Sequence, residues 1–298
     1  MKRNFLFFIN PISGTKDKNR LRLLISQAAV KFNCSYQILP TRKDGNYAPE
    51  LLKIRDEKIT DVIICGGDGT VNQVVSSLRL ADVNFGIVPM GSGNGLAFAA
   101  RIPSSSAKAI EIALNAQPSW IDAFTLNGHF SCMLSGVGVD ATIAHDFATV
   151  KKRGLWTYLK KSTRHFFLSR PFPFIFQIEG QSIKTQAYFI SVANSNQFGN
   201  YVTIAPKASL NDGMLDIVVV NRMSKMQLIY HIIRQIKMGK VIKPSEANST
   251  TGIQYYQSKE IVIQNSNLAP IHIDGEPIES SSLISVKIIE NAFKLIQP

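Results

Sequence analysis

Three short stretches of this 298-residue chain carry residue types suited to holding an anion. The densest is Gly66-Gly67-Asp68-Gly69-Thr70, which follows the apolar run Val62-Ile63-Ile64-Cys65. Beyond it Val71, Val74, Val75 and Leu78 fall at i, i+3, i+4 and i+7. The pattern predicts strand, loop and helix, with the helix starting at Thr70 and Thr70 with Gln73 forming a capping box. The first amides of such a helix have no internal acceptor and carry the positive end of its dipole, and glycines without Cβ let an anion approach the backbone. The chemistry on offer is phosphate binding. Asp68 would repel a bare phosphate, so its presence makes sense if a divalent cation or a proton-bearing hydroxyl lies between them. The plainer alternative is a tight turn with an N-cap, but a loop that only turns has no use for glycines on both sides of an acid. Two further loops, Asn10-Pro11-Ile12-Ser13-Gly14-Thr15-Lys16 and Gly91-Ser92-Gly93-Asn94-Gly95, also follow apolar runs, at residues 5–9 and 85–88. The amides of Gly66, Gly67, Gly69 and residues 91–94 are the expected phosphate donors, with Lys16 in reach as a point charge.

The elements that must position these loops alternate. Strands are expected at 5–9, 36–39, 62–65 and 85–88, and a helix is expected from the spacing of Leu21, Leu24, Ile25, Ala28 and Phe32. A weaker helix spans 48–57, and Ser106 caps another that carries Ala109, Ile110, Ala113 and Leu114. Strands alternating with helices imply a mostly parallel sheet with ligands at the carboxyl ends of its strands, where all three glycine loops fall. Near Trp120 the rhythm changes. Asn127-Gly128 between residues 121–126 and 130–134 is a strong hairpin signal. Further strands are expected at 172–178, 183–193, 215–220, 253–257, 261–264, 271–273 and 283–289. Helical interruptions are expected at 154–167 and 226–238. The expected architecture is α/β: an N-terminal three-layer α/β/α nucleotide-binding domain at residues 1–120, then a C-terminal β-sandwich domain at 121–298 whose last residues are apolar enough to dock elsewhere.

A net charge of +12 implies an anionic partner, which charge alone leaves as nucleotide, nucleic acid or membrane surface. Cys34, Cys65 and Cys132 are widely spaced in no metal-like pattern, which predicts reduced thiols and a cytoplasmic protein. The opening Met1-Lys2-Arg3 and its short apolar run mimic a signal peptide but read better as the first strand. No apolar run approaches the roughly 20 residues of a membrane-spanning helix. Five histidines, His129, His145, His165, His231 and His272, show no metal-ligand spacing and receive no role.

Six motifs in order, Asn10-Pro-Ile-Ser-Gly14, Gly66-Gly-Asp-Gly-Thr70, Pro89 with Gly91-Ser-Gly-Asn94, Gly136-Val-Gly-Val-Asp140, Asn211-Asp-Gly213 and Asp274-Gly-Glu276, resemble the diacylglycerol kinase catalytic-domain family, which includes bacterial lipid kinases and sphingosine kinases. The resemblance covers nearly the whole chain. It implies ATP and magnesium as cofactors and a cleft where ATP meets a lipid hydroxyl. It places Asn10, Ser13 and Thr41 near the nucleotide. It implies Asp68 and Glu276 as magnesium-linked carboxylates and Asp274 as general base in the manner of the bacterial enzymes, whereas sphingosine kinases give that role to the Asp68 position; both assignments stay open. It also implies Asp140 as a contact to the lipid headgroup and Asp212 as a structural magnesium ligand, whose alternative is an ordinary turn aspartate. Asn94 is followed by Gly95-Leu96-Ala97, closer to the sphingosine and ceramide kinase version, and Gln197-Phe198-Gly199-Asn200 departs from the family's second-domain glycine cluster.

The expected activity is transfer of the γ-phosphoryl group of ATP to a primary hydroxyl of a diacylglycerol-like or sphingoid lipid. The alternatives are an NAD kinase-like enzyme and a non-catalytic nucleotide-binding protein. The expected partners are the lipid substrate, a second copy in a homodimer, and an anionic membrane surface met peripherally through Lys151-Lys152-Arg153 with Trp156, Tyr158, Lys160, Lys161 and Arg164. Nucleic acid is not expected, because the basic residues are dispersed and the acid-bearing loops would face a polyanion badly.

Overall fold

The structure, a computed structural model, describes residues 3–14, 17–148, 169–197, 205–224, 226–227 and 252–298. Lys16, the basic aromatic stretch, Phe198-Gly199-Asn200 and nearly all of the helix expected at 226–238 lie outside the described residues. The chain divides into two compact units, residues 1–122 with 290–298, and residues 123–289.

In the first unit β1 (Asn4–Ile9), α1 (Lys18–Lys31), β2 (Ser35–Pro40), α2 (Glu50–Asp56), β3 (Asp61–Gly66), α3 (Asp68–Leu78), β4 (Asn84–Pro89), α4 (Gly95–Ala99) and α5 (Ser106–Asn115) succeed one another. The strands pair in parallel in the order β2-β1-β3-β4, with Phe7 opposite Ile38 on one side and Ile63 on the other. β3 is buried along its whole length, as suits a strand covered on both faces, while the edge strand β2 is half-exposed. Because β2 lies on one side of β1 and β3 on the other, right-handed crossovers diverge there and open a crevice at the carboxyl ends of β1 and β3.

Val71, Val74, Val75 and Leu78 are all buried on α3, each contributing roughly 1.5–3 kcal/mol of transfer free energy. The helix starts two residues earlier than the sequence suggests, at Asp68 with extended Gly67 as N-cap. No capping box forms, because the Thr70 hydroxyl accepts from Asn10 and the Gln73 side chain lies against Gly45. The cap position of α5 is Ser105 rather than Ser106. Arg3 fixes the far end of α5, donating to the carbonyls of Ala113, Leu114 and Ala116 while forking onto both oxygens of Asp61.

The chain continues through β5 (Pro118–Leu126), β6 (His129–Ser131), β7 (Leu134–Gly138), α6 (Val139–Ala148), β8 (Phe172–Ile178), β9 (Gln181–Ala193), β10 (Leu215–Asn221), β11 (Ile253–Ser258), β12 (Glu260–Gln264), β13 (Ile271–Ile273), β14 (Glu276–Ile278) and β15 (Leu283–Ile296). The second unit is an antiparallel β-sandwich around β9, which pairs with β7, β8 and β10. Its core gathers Phe124, Phe174, Phe176, Ile190, Ile217, Ile263 and Val286. Asn127 and Gly128 make the expected two-residue turn, both with positive φ, and the Asn127 side chain staples it to Leu283 and Ser285 of β15. β15 runs past the expected end at 289, and in the first unit Lys294 and Leu295 pair in parallel with Asn84 and Phe85 of β4. Phe293 meets Phe85 edge-on at 5.9 Å.

Candidate active site

The three glycine loops of the first unit converge at the carboxyl ends of β1, β3 and β4, and they touch backbone to backbone. A Cβ on Gly91 would fall 2.6 Å from Gly67 Cα, and one on Gly14, whose φ is +58°, would fall 2.3 Å from the carbonyl oxygen of Met90. Side chains close each loop from within. Asn10 donates to the Thr70 hydroxyl at 2.8 Å and accepts from the Ile12 amide at 3.0 Å, and the Ser13 hydroxyl donates to the Asn10 carbonyl. Asn94, in the left-handed region, accepts from the Gly91 amide at 2.8 Å and returns a bond to the Gly91 carbonyl at 2.9 Å. Gly91 therefore leaves the expected set of phosphate donors. Thr41 bonds the buried Tyr47 phenol, which also accepts from the Arg42 amide.

Asp68 crosses from the second loop to the third. Its carboxylate accepts from the amides of Asn94, Gly95 and Leu96 at the start of α4. Burial pushes its carboxyl above the usual carboxylate range, against the opposing pull of those amides, which favour the charged form. The same carboxylate that sequence assigned to a cation thus also holds two loops together.

In the second unit Asp274 and Glu276 share one hairpin. Asp274 and Gly275 form the two-residue turn between β13 and β14, with φ of +50° and +83°. Asp274 Oδ1 accepts from the Ser131 hydroxyl at 2.7 Å and the Leu134 amide at 3.0 Å, and the Asp274 amide donates to the Leu134 carbonyl. Glu276 is exposed at the start of β14. Asp140, buried in the first turn of α6, accepts from the Ala141 amide and faces Nε2 of the fully buried His272 at 3.5 Å. Asp212 stands elsewhere, exposed in a turn where it accepts from the Met214 amide. Neither His272 nor α6 was found from sequence. Sequence offered for His272 only a polar residue between two isoleucines beside an Asp-Gly turn; its place opposite Gly136 is visible only in the fold.

Residues 4–126 match the family described as diacylglycerol kinase catalytic domain, and residues 134–297 match the YegS C-terminal NAD kinase beta sandwich-like domain. The chain belongs to the diacylglycerol kinase family, whose members are phosphotransferases. It is 24% identical to the diacylglycerol kinase of Bacillus subtilis (strain 168) over 93% of this chain and 90% of that one. It is 22% identical to the diacylglycerol kinase of Staphylococcus carnosus (strain TM300) over 93% and 89%. The crystal structure of a diacylglycerol kinase from Bacillus anthracis str. Sterne shares the fold, with a TM-score of 0.75 at 19% identity over 99% of this chain and 97% of that chain.

Proposed function

We propose that the chain transfers the γ-phosphoryl group of ATP to a primary hydroxyl of a diacylglycerol-like or sphingoid lipid. The observation that carries this is Asp274, a carboxylate whose Oδ1 is fixed by two donors in a family of phosphotransferases. As the lipid oxygen attacks the γ-phosphorus, its proton passes to Asp274; the new O–P bond forms while the bond to the β,γ-bridging oxygen breaks, and ADP leaves. The amides of Gly66, Gly67, Gly69, Ser92 and Gly93 and the start of α3 hold phosphate oxygens, Lys16 adds a point charge, and Asn10, Ser13, Thr41, Thr70 and Asn94 keep the loops in shape. The role proposed for Asp140 is to meet the lipid headgroup.

Among the described residues no three His, Cys, Asp or Glu side chains converge as a metal site. Asp68 and Glu276 offer hard carboxylate oxygens and would suit a magnesium ion carried in on the nucleotide's phosphates. Such an ion would neutralise charge on the transferring group. A structural cation at Asp212 would rest on that exposed carboxylate and neighbouring carbonyls, and a melting temperature indifferent to magnesium would remove it.

Radiolabelled ATP offered to a lipid extract and to NAD side by side tests the activity. Label in the lipid phase is expected, and labelled NADP in its place would overturn it. Among the described residues no helix is long and apolar enough to cross a membrane, and the charge of +12 favours peripheral contact with anionic lipid. Co-sedimentation with anionic vesicles should fall when Lys151, Lys152 and Lys160 are changed together to Glu, most visibly at low salt; unchanged sedimentation would refute the contact.

A further inference from the structure

Strand alternation on β13 sends Ile271 and Ile273 into the core and turns His272 the other way, towards α6. The imidazole is fully buried, and each ring nitrogen meets a part of the site. Nδ1 accepts from the Gly275 amide at 3.3 Å, and Nε2 faces Asp140 Oδ2 at 3.5 Å. A neutral imidazole that accepts at Nδ1 carries its proton on Nε2, so the ring accepts from the turn and aims its N–H at the carboxylate across 3.5 Å, a close approach without hydrogen-bond geometry. The surroundings are cut to admit this pair. The cross-strand neighbour of His272 on β7 is Gly136, where a Cβ would fall 1.9 Å from Asp140 Oδ2 and 2.8 Å from His272 Nε2. Gly136 in turn lies opposite Ser191 on β9, another small residue beneath α6. A histidine here links the carboxylate at the head of α6 to the residue that follows Asp274.

We propose that His272 is a positioning residue for phosphoryl transfer, holding the Asp274-Gly275 turn and the Asp140 carboxylate in one fixed relation. This rests on Asp274 taking the hydroxyl proton and Asp140 meeting the lipid headgroup. Losing the Nδ1 contact frees the Gly275 amide and lets the turn drift, and a drift of about 1 Å at a reacting group costs on the order of 10²-fold in rate. Losing the Nε2 contact leaves the turn alone and lets Asp140 move.

The two nitrogens can be removed separately. His272→Asn keeps an acceptor near the Nδ1 position, His272→Gln keeps a donor near the Nε2 position, and His272→Ala keeps neither. The full chain is assayed with ATP and dioleoylglycerol or sphingosine, presented separately in mixed micelles, with a melting curve for every variant. For His272→Asn, kcat should stay within a few-fold of wild type while KM for lipid rises. For His272→Gln, KM should hold while kcat falls roughly 10- to 100-fold. Asn and Gln variants that lose both parameters in step with their melting temperatures, or that both match wild type, would overturn the proposal, and turnover abolished by Asp274→Asn would still leave the catalytic assignment standing. Wild-type turnover in Asp274→Asn would instead remove that assignment and the proposal with it.

Discussion

In the first unit the side chains that a sequence would assign to the nucleotide are largely spent on the loops: Asn10 on Thr70 and Ile12, Asn94 on Gly91, Asp68 on the amides of residues 94–96. In the second unit the reverse holds, because the backbone of the Asp274-Gly275 turn and the donors Ser131 and Leu134 serve to hold one carboxylate in place. On the proposed reading the first unit presents peptide groups, which added atoms would block, and the second presents the Asp274 carboxylate, which loss of charge would disable. Substitutions that preserve shape and those that preserve charge should therefore have opposite rankings in the two units.

The largest effect is expected at Asp274. Asp274→Asn keeps size and one acceptor but cannot take a proton, so kcat at saturating ATP should fall by about 10²- to 10⁴-fold with ATP affinity near wild type. An equal fall in ATP affinity, seen by calorimetry, would erase the distinction between the units. A changed magnesium requirement as the sole effect would move Asp274 to metal binding.

A buried carboxylate in the same unit, given no part in the proposed transfer, supplies the control. Asp216 on β10 is fully buried, bonded by the Tyr255 hydroxyl and by Gln257 at 3.1 Å, and burial pushes its carboxyl from its ordinary 3.8 up to about 6. A folded-state pKa above the unfolded one means that the folded state holds the extra proton between these values. The contribution of Asp216 to stability is thus fully present below about pH 3.8 and is lost as pH rises through about 6. At about 1.4 kcal/mol per pH unit the loss is on the order of 3 kcal/mol. Asp216→Asn should be more stable than wild type at pH 8 by up to that amount and no more stable near pH 4, measured by urea unfolding in chelator. Parallel pH curves for the two proteins would refute it, and turnover should be unaffected by the change.

For the first unit the corresponding probe is an added atom. Gly91→Ala places a Cβ 2.6 Å from Gly67 Cα, closer than backbone atoms allow, whereas Gly67→Ala meets Gly91 Cα at 3.0 Å. Gly91→Ala should cost about 1–3 kcal/mol of stability as an overpacked contact and weaken ATP binding, with Gly67→Ala milder on stability. Unchanged calorimetric affinity in both variants would mean that the loops do not hold phosphate.

Much of this was legible in the sequence. Unbroken apolar runs such as residues 62–65 are what a strand covered on both faces requires, and the i, i+3, i+4 spacing on α3 left little freedom. Asn127-Gly128 needed no context, since positive φ at two successive residues suits few other pairs. Illegible were the features that depend on what lies opposite. That Asp68 also ties two loops together is hidden until α4 is known to begin beside it, Gly91 reads as a donor until Asn94 folds back on it, and His272 reads as an ordinary histidine until Gly136 is seen to make room for it. β15 escaped beyond 289 because polar Glu290 and Asn291 interrupt its alternation, although Asn291 turns out to donate its amide to Asp122.

The smallest change is expected at Asp68, and it decides the most. Two opposed effects act on its carboxylate: burial disfavours the charge, while the amides of Asn94, Gly95 and Leu96 reward it. Asp68→Asn relieves the first and weakens the second, so the net effect on stability should be about 1 kcal/mol or less, well below the 1.5–3 kcal/mol that a hydrogen bond to a charged group contributes alone. Because its pKa is raised, the wild-type residue favours folding most at low pH and loses that contribution as pH rises, so the variant should compare best with wild type under alkaline conditions. Magnesium dependence and ATP affinity should shift together and modestly, since a nucleotide-borne ion keeps its phosphate ligands when one carboxylate is lost. Turnover abolished in Asp68→Asn with ATP and magnesium binding intact would invert the contrast between the units: the first would then supply the base, and the Asp274 turn would be the scaffold.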